Sequence, residues 1–401
     1  MEKLRKILSI MLCVLMVAGL AACGGGSAAP ASQAPAQADT TSQQAAPADT
    51  QKAEAPEHFV LGMPWITNST DPTTNSISQN IKAAVEAAGG ELIVTDMEMT
   101  PDGQINNISE LISRGVDAIV FMPLAETMLP TVDAMCSEAG VYWGSMLRRI
   151  TDDSIREQIM KSEYYAGGCY EDDELCGENI MKKMGELGVT NVACINITKG
   201  DTSSDLRDAG AAKGAAEAGI NIVGTTYGIL DPTDMTKTIE SYLAAYPELD
   251  GIVVLGTYCG GALAIIEKAL EDNGKAGQVK VGRIDFEPTM EEYFENGTFH
   301  ICYGVQMPYD PFMSTIILIN KVIGTPVSDG PAIVVTPYIP LTTAQEARDV
   351  TQYIYGDTPM YNQESIRAEF LGFYNPAVNK AYLEDMVAKY SVEDIVARNS
   401  K

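Results

Sequence analysis

The chain has 401 residues, with 27 Lys and Arg against 54 Asp and Glu, a net charge of −27. So acidic a balance argues against nucleic acid and against electrostatic adsorption to an anionic membrane. Two histidines, and cysteines without metal-ligand spacing, argue against a metal site, and nothing in the composition calls for a cofactor.

The N-terminus is positive, with Lys3, Arg5 and Lys6 against Glu2. An apolar run over 7–20 and the small residues Ala21 and Ala22 follow. That order predicts a secretory signal over 1–22, too short and wrongly flanked to span a bilayer. Setting it aside leaves a net charge of −29. The ending "LAAC" resembles the lipobox of bacterial lipoproteins, which implies lipidation at Cys23. The competing reading is an ordinary cleavage nearby, with Cys23 incidental. Residues 24–57 favour the lipobox: they are mostly Gly, Ala, Ser, Gln, Pro, Thr and Asp, too poor in apolar surface to fold. Such a coil holds a domain ~30 Å from its anchor. The folded part then starts near His58, and roughly 340 residues predict two lobes rather than one core.

From His58 onward, short apolar runs alternate with amphipathic segments. "HFVLGMP", "ELIVTDM", "VDAIVFMP" and "VYWGSML" read as strands. "SISQNIKAAVEAAGG", "DGQINNISELISRG" and "TMLPTVDAMCSEAG" read as the helices between them. After a looser stretch the alternation resumes with strands "TNVACINI", "INIVGTTYG", "DGIVVLG" and "VKVGRIDF". Its helices include "SSDLRDAGAAKGAAEAG" and "DPTDMTKTIESYLAAYP", the latter with Asp231 as N-cap before Pro232. Continuous Val/Ile strands separated by helices predict a parallel sheet covered on both faces, and two such series predict two doubly wound lobes. Ligands of such sheets bind beyond the carboxyl ends of the strands. No GxGxxG, Walker lysine, HExxH or paired catalytic carboxylates occur there, so an enzyme reading has no chemistry to rest on. Cys169 and Cys176 either pair or stay as buried free thiols.

These residues resemble the type I periplasmic-binding-protein family, in its ribose/galactose branch of sugar-binding lipoproteins that serve ABC importers. The resemblance covers roughly 58–340 and rests on five stretches in order: "GMPWITNSTDP", "ISRGVDAIVFMPLAET", "SDLRDAGAAKG", "VGRIDFEP" and "GVQMPYDP". It implies ligand contacts from Trp65, Asn68, Arg148, Arg149, Arg207, Thr257, Tyr258, Asp285 and Gln306. Trp65 is expected to stack on ligand and Trp143 to lie in the core; Asp285 has helix capping as its alternative role. The sequence departs from the family at Met122, where Asn is usual, and at "SMLRRI", which lacks the family's acid. An anionic ligand and a neutral sugar therefore both remain open.

The implied architecture is α/β: two lobes joined by a three-crossing hinge near 164–168, 305–308 and 328–334. It assigns 58–165 plus 306–330 to the N-terminal lobe and 166–305 plus 331–342 to the C-terminal lobe. Residues 343–401 form a helical extension that the resemblance does not explain. The implied function is extracytoplasmic, lipid-anchored capture of a sugar-like ligand for an ABC permease, without catalysis or cofactor. Alternatives are a sensor lipoprotein reporting to a membrane kinase, or a binder of a nucleoside or sugar acid.

Overall fold

The computed structural model describes residues 55–67 and 69–400. The leader, Cys23, the tether up to residue 54 and Asn68 lie outside the described residues.

Residues 55–400 belong to one compact unit built on two six-stranded sheets. The first comprises β1 (Val60–Trp65), β2 (Glu91–Asp96), β3 (Ala118–Phe121), β4 (Tyr142–Met146), β5 (Tyr165–Glu171) and β11 (Ala332–Thr336). Its spatial order is β2-β1-β3-β4-β5-β11, with every pairing parallel. The second comprises β6 (Asn191–Asn196), β7 (Asn221–Tyr227), β8 (Gly251–Val254), β9 (Lys280–Ile284), β10 (Phe299–Gly304) and β12 (Ile339–Leu341). It repeats the order as β7-β6-β8-β9-β10-β12, with only β12 antiparallel. Each sheet reverses direction of winding beside its first strand, which opens a crevice at the carboxyl ends.

Helices of the first lobe are α1 (Pro72–Ala87), α2 (Pro101–Ser113), α3 (Leu129–Ala139) and α4 (Asp153–Ile159). The second lobe carries α5 (Asp173–Glu186), α6 (Thr202–Ala218), α7 (Pro232–Ala245), α8 (Ala262–Asp272) and α9 (Met290–Glu295). Their starts follow the sequence. Asp71, Thr100, Asp201 and Asp231 each accept a first-turn N–H through the side chain. The glycines of "DAGAAKG" serve close packing: a Cβ on Gly210 would lie 1.8 Å from the Glu174 carbonyl of α5. The six cysteines at 136, 169, 176, 194, 259 and 302 are free and buried, so Cys169 and Cys176 do not pair.

The sheets divide the chain later than expected. β5 and β11 both belong to the first sheet, so 166–171 and 332–336 move from the second lobe to the first. Helix α10 (Gln306–Val322) packs against α1, β4 and β5 and so returns the chain to the first lobe. The three crossings fall at Asp172, at Val305 and at Pro337–Tyr338.

The extension forms α11 (Ala344–Tyr353), α12 (Gln363–Phe370), α13 (Lys380–Lys389) and α14 (Val392–Asn399). It packs on both lobes: α11 lies against α9, α12 against α1, and α13 against β11.

Candidate functional site

The crossings and the strand ends meet in one place. Asp285 follows β9, Gln306 opens α10, and Arg207 reaches in from the first turns of α6. Arg207 Nη1 donates to Asp285 Oδ2 at 2.8 Å, and Gln306 Nε2 donates to Asp285 Oδ1 at 3.1 Å. Asp285 therefore caps no helix. Burial alone would raise its carboxyl; the charge and hydrogen bonds of Arg207, with Arg283 behind, outweigh that and hold it below the ordinary carboxylate range. Gln306 is fully buried and its Oε1 has no partner among the described residues.

Arg207 differs from its expected role. Nε donates to Asp173 Oδ1 at 2.7 Å, Nη1 also to the Leu255 carbonyl at 2.7 Å, and Nη2 to Tyr338 OH at 2.8 Å and Asp285 Oδ1 at 3.5 Å. Tyr338 OH donates in turn to Asp173 Oδ1 at 2.7 Å. A guanidinium has five N–H donors, and here five acceptors of the protein meet them. Arg207 is a buried strut that presents Asp285, and it has no N–H left over for a ligand.

Three residues beside this site adopt the left-handed backbone conformation without being glycine: Leu147 (φ 63°), Asp285 (φ 71°) and Val305 (φ 75°). Such conformations are disfavoured and concentrate at functional sites. Each turns the chain at a strand end and so aims a side chain: Arg148 after Leu147, the carboxylate of Asp285 itself, and Gln306 after Val305. The Leu147 N–H is fixed by Asp310 Oδ1 of α10 at 3.2 Å.

Arg148 and Arg149 both border a cavity of about 240 Å³ between the lobes, lined by Pro123–Glu126 and Arg148–Ile150 from the first and Gly200–Thr202 from the second. Among the described residues neither forms an ion pair. Arg148 donates to the Leu147 carbonyl at 3.0 Å, and exposed Arg149 lies over the Tyr170 ring at 5.9 Å. The cavity's acids are engaged elsewhere: Glu126 accepts from the Thr151 and Asp152 N–H groups at 2.8 Å, and Asp201 caps α6. A larger open hollow of about 490 Å³ lies between β7 and α7, away from every strand-end residue named here.

The remaining expectations divide. Trp65 is 4% exposed and its Nε1 donates to the Thr74 carbonyl at 3.2 Å, so it is core, because β1 runs through it. Trp143 is core as expected, its Nε1 on Asp133. Thr257 holds its own turn, accepting from Cys259 N at 3.0 Å, and Tyr258 is 63% exposed at the rim. Asn68 lies outside the described residues. The sequence reading missed Gln104, which props the third loop by donating to Met122 O and accepting from Leu124 N. It also missed Glu171, Asp173 and Tyr338; the run "EDD" over 171–173 was the available signal.

A family model described as the periplasmic binding protein domain matches residues 64–311. The chain belongs to that family. The ribose import binding protein of Salmonella typhimurium is 22% identical over 233 residues, covering 58% of this chain and 74% of that protein. A solute-binding protein of Burkholderia graminis solved with D-arabinose matches with a TM-score of 0.60 and 21% identity, over 75% of this chain and 98% of that one. Another from Actinobacillus succinogenes, solved with D-allose, gives 0.61 and 20%, over 73% and 99%. These relatives are solute-binding proteins, not enzymes.

Proposed function

We propose that this is an extracytoplasmic solute-binding protein, tethered through a lipid on Cys23, that captures a sugar or sugar-like ligand between its lobes and delivers it to an ABC permease. The carrying observation is the pairing of Asp285, an ionised acceptor, with Gln306 Oε1, a buried acceptor without a partner. Ligand hydroxyls satisfy both, and a hydrogen bond to a charged group contributes about 1.5–3 kcal/mol. Arg148, whose one hydrogen bond among the described residues goes to the Leu147 carbonyl, stands with Gln306 on the first lobe, across from Asp285 on the second, and serves hydroxyl or ring oxygens. Closure is a hinge motion about the three crossings, and the sugars bound by the solved neighbours support the ligand class.

Calorimetric titration with D-ribose, D-arabinose, D-allose and myo-inositol tests the reading. At least one is expected to bind the wild type, and Asp285→Asn to weaken it about ten- to a hundredfold at ~1.4 kcal/mol per decade. No binding by any of the four, or an indifferent Asp285→Asn, rejects the reading. Membrane fractionation of Cys23→Ala examines the anchor separately: the variant is expected in the soluble fraction, and pelleting with membranes rejects lipidation.

A further inference from the structure

Glu171 ends β5 at the first crossing, is 5% exposed, and among the described residues its carboxyl is hydrogen-bonded only by its own backbone N–H. A buried carboxyl with no partner beyond its own backbone is rare, because burying a polar group poorly bonded is unfavourable. It lies two residues after Cys169 along β5 and so shares its face, the side covered by α10, where Asp310 and the first turn at Gln306 lie. Its charged neighbours come from both lobes. They are Arg148 after β4, Asp173 of α5, Asp285 after β9 and Asp310 of α10, with Tyr338 and the Cys169 thiol also facing it. Arg207 stands behind, committed to Asp173 and Asp285. Glu171 and Arg148 thus lie in one neighbourhood without pairing.

We propose that Glu171 is a further ligand-contacting residue of this cleft, standing in its floor between Arg148 of the first lobe and Asp285 of the second. This rests on the sugar-binding reading above. Burial, then the charge of Asp173, with Asp285 adding and Arg148 opposing, push its carboxyl up to about 8. At neutral pH it is a carboxylic acid, with one donor and one acceptor, beside the acceptor-only Asp285. The two carboxyls divide the work: Asp285 takes ligand hydroxyl protons, and Glu171 donates to a ligand oxygen. A ligand covering Glu171 removes its last contact with water and raises the carboxyl further, so binding is tied to the retained proton. Affinity is therefore held below about pH 8 and falls as pH rises through it. Stability without ligand behaves likewise. The folded state keeps a proton that the unfolded chain releases near 4.5, so stability declines from there to about 8 and then levels.

The experiment titrates D-ribose, D-arabinose and D-allose into wild type, Glu171→Gln and Glu171→Ala between pH 6.5 and 9.5. Wild-type affinity is expected to fall about tenfold across that range, the loss for a ligand-induced rise of about one pKa unit. Glu171→Gln, which keeps a donor and an acceptor at every pH, is expected to remove the pH dependence. Glu171→Ala is expected to bind at least about fivefold more weakly at pH 6.5. Ligand-free melts from pH 5 to 9 read the proton directly: the melting temperature of Glu171→Gln relative to wild type is expected to climb with pH. Sugar binding that Glu171→Ala leaves intact, or a pH-independent difference in melting, overturns the role of Glu171. A wild type that binds none of the sugars overturns the underlying sugar reading and this contact with it.

Discussion

Arg207 shows how a residue that reaches a site can have its donors taken up in holding that site together. Its five N–H groups tie the first crossing through Asp173, the third through Tyr338, the Leu255 carbonyl and the strand-end carboxylate Asp285. Breaking a buried pair by removing one partner leaves an uncompensated charge, at about 3–5 kcal/mol. Arg207→Ala is therefore expected to lose that much in urea unfolding, with Asp173 and Asp285 left facing each other. Arg207→Lys, which keeps the charge but not the fork, should fall between. A large loss of affinity with unfolding stability unchanged would return Arg207 to the role of ligand donor. The motif singled out this arginine as a ligand contact, whereas its N–H groups are met by acceptors of the protein. What it could not carry is the count of acceptors around it, because Asp173, Leu255 and Tyr338 lie 34, 48 and 131 positions away.

At the scale of elements, the strands written as apolar runs were legible, and they supply four of the six strands of each sheet. The boundary errors have one physical cause. "YAGGCYE" reads as a loop because of its two glycines, yet it is β5, with ladder neighbours crowding it on both sides. A Cβ on Gly167 would lie 1.9 Å from the Ala332 carbonyl, and on Gly168 2.0 Å from that of Ser145. The glycines mark backbone packed against backbone rather than a break in the strand. The left-handed turns at Leu147, Asp285 and Val305 were illegible for a different reason: none is the glycine that ordinarily signals one. Helices α4 and α12 lie in stretches of mixed polarity that show no clear period. The pattern "NKAYLEDMVAKYSVEDIVAR" reads as helical without its break. Ser391 ends that run by capping a new helix, accepting from Asp394 N at 3.2 Å.

Taken whole, the molecule joins its lobes by more than three crossings. The extension grips the second lobe through Arg348, paired with Glu295 at 2.5 Å, and through Tyr355, stacked on Phe286 at 4.9 Å. One residue earlier it is bound to the first lobe, where the Ile354 carbonyl accepts from Ser76 Oγ at 2.5 Å. It continues on that lobe, with Met360 N on Asn80 Oδ1 and Arg367 Nε on the Ala87 carbonyl. Tyr390 then stacks on Tyr309 at 3.8 Å and donates to the carbonyl of Val305, the second crossing. A rotation that parts the lobes must pull this segment off one of them. Phe286 is the residue after Asp285, so the stack with Tyr355 also steadies the left-handed turn at Asp285. A stacked aromatic pair contributes about 0.5–1.5 kcal/mol beyond its buried area. Tyr355→Ala is accordingly expected to speed ligand release by about two- to tenfold, read by stopped-flow fluorescence. The first-lobe contacts of α12 and α13 should keep the variant folded, as a cooperative thermal melt would show. If release is unchanged while the melt shifts, the extension stabilises the lobes without restraining their motion. Faster release in Tyr355→Ala, matched by Arg348→Ala, would place the restraint in the grip on the second lobe, because both residues hold that lobe, through Phe286 and Glu295.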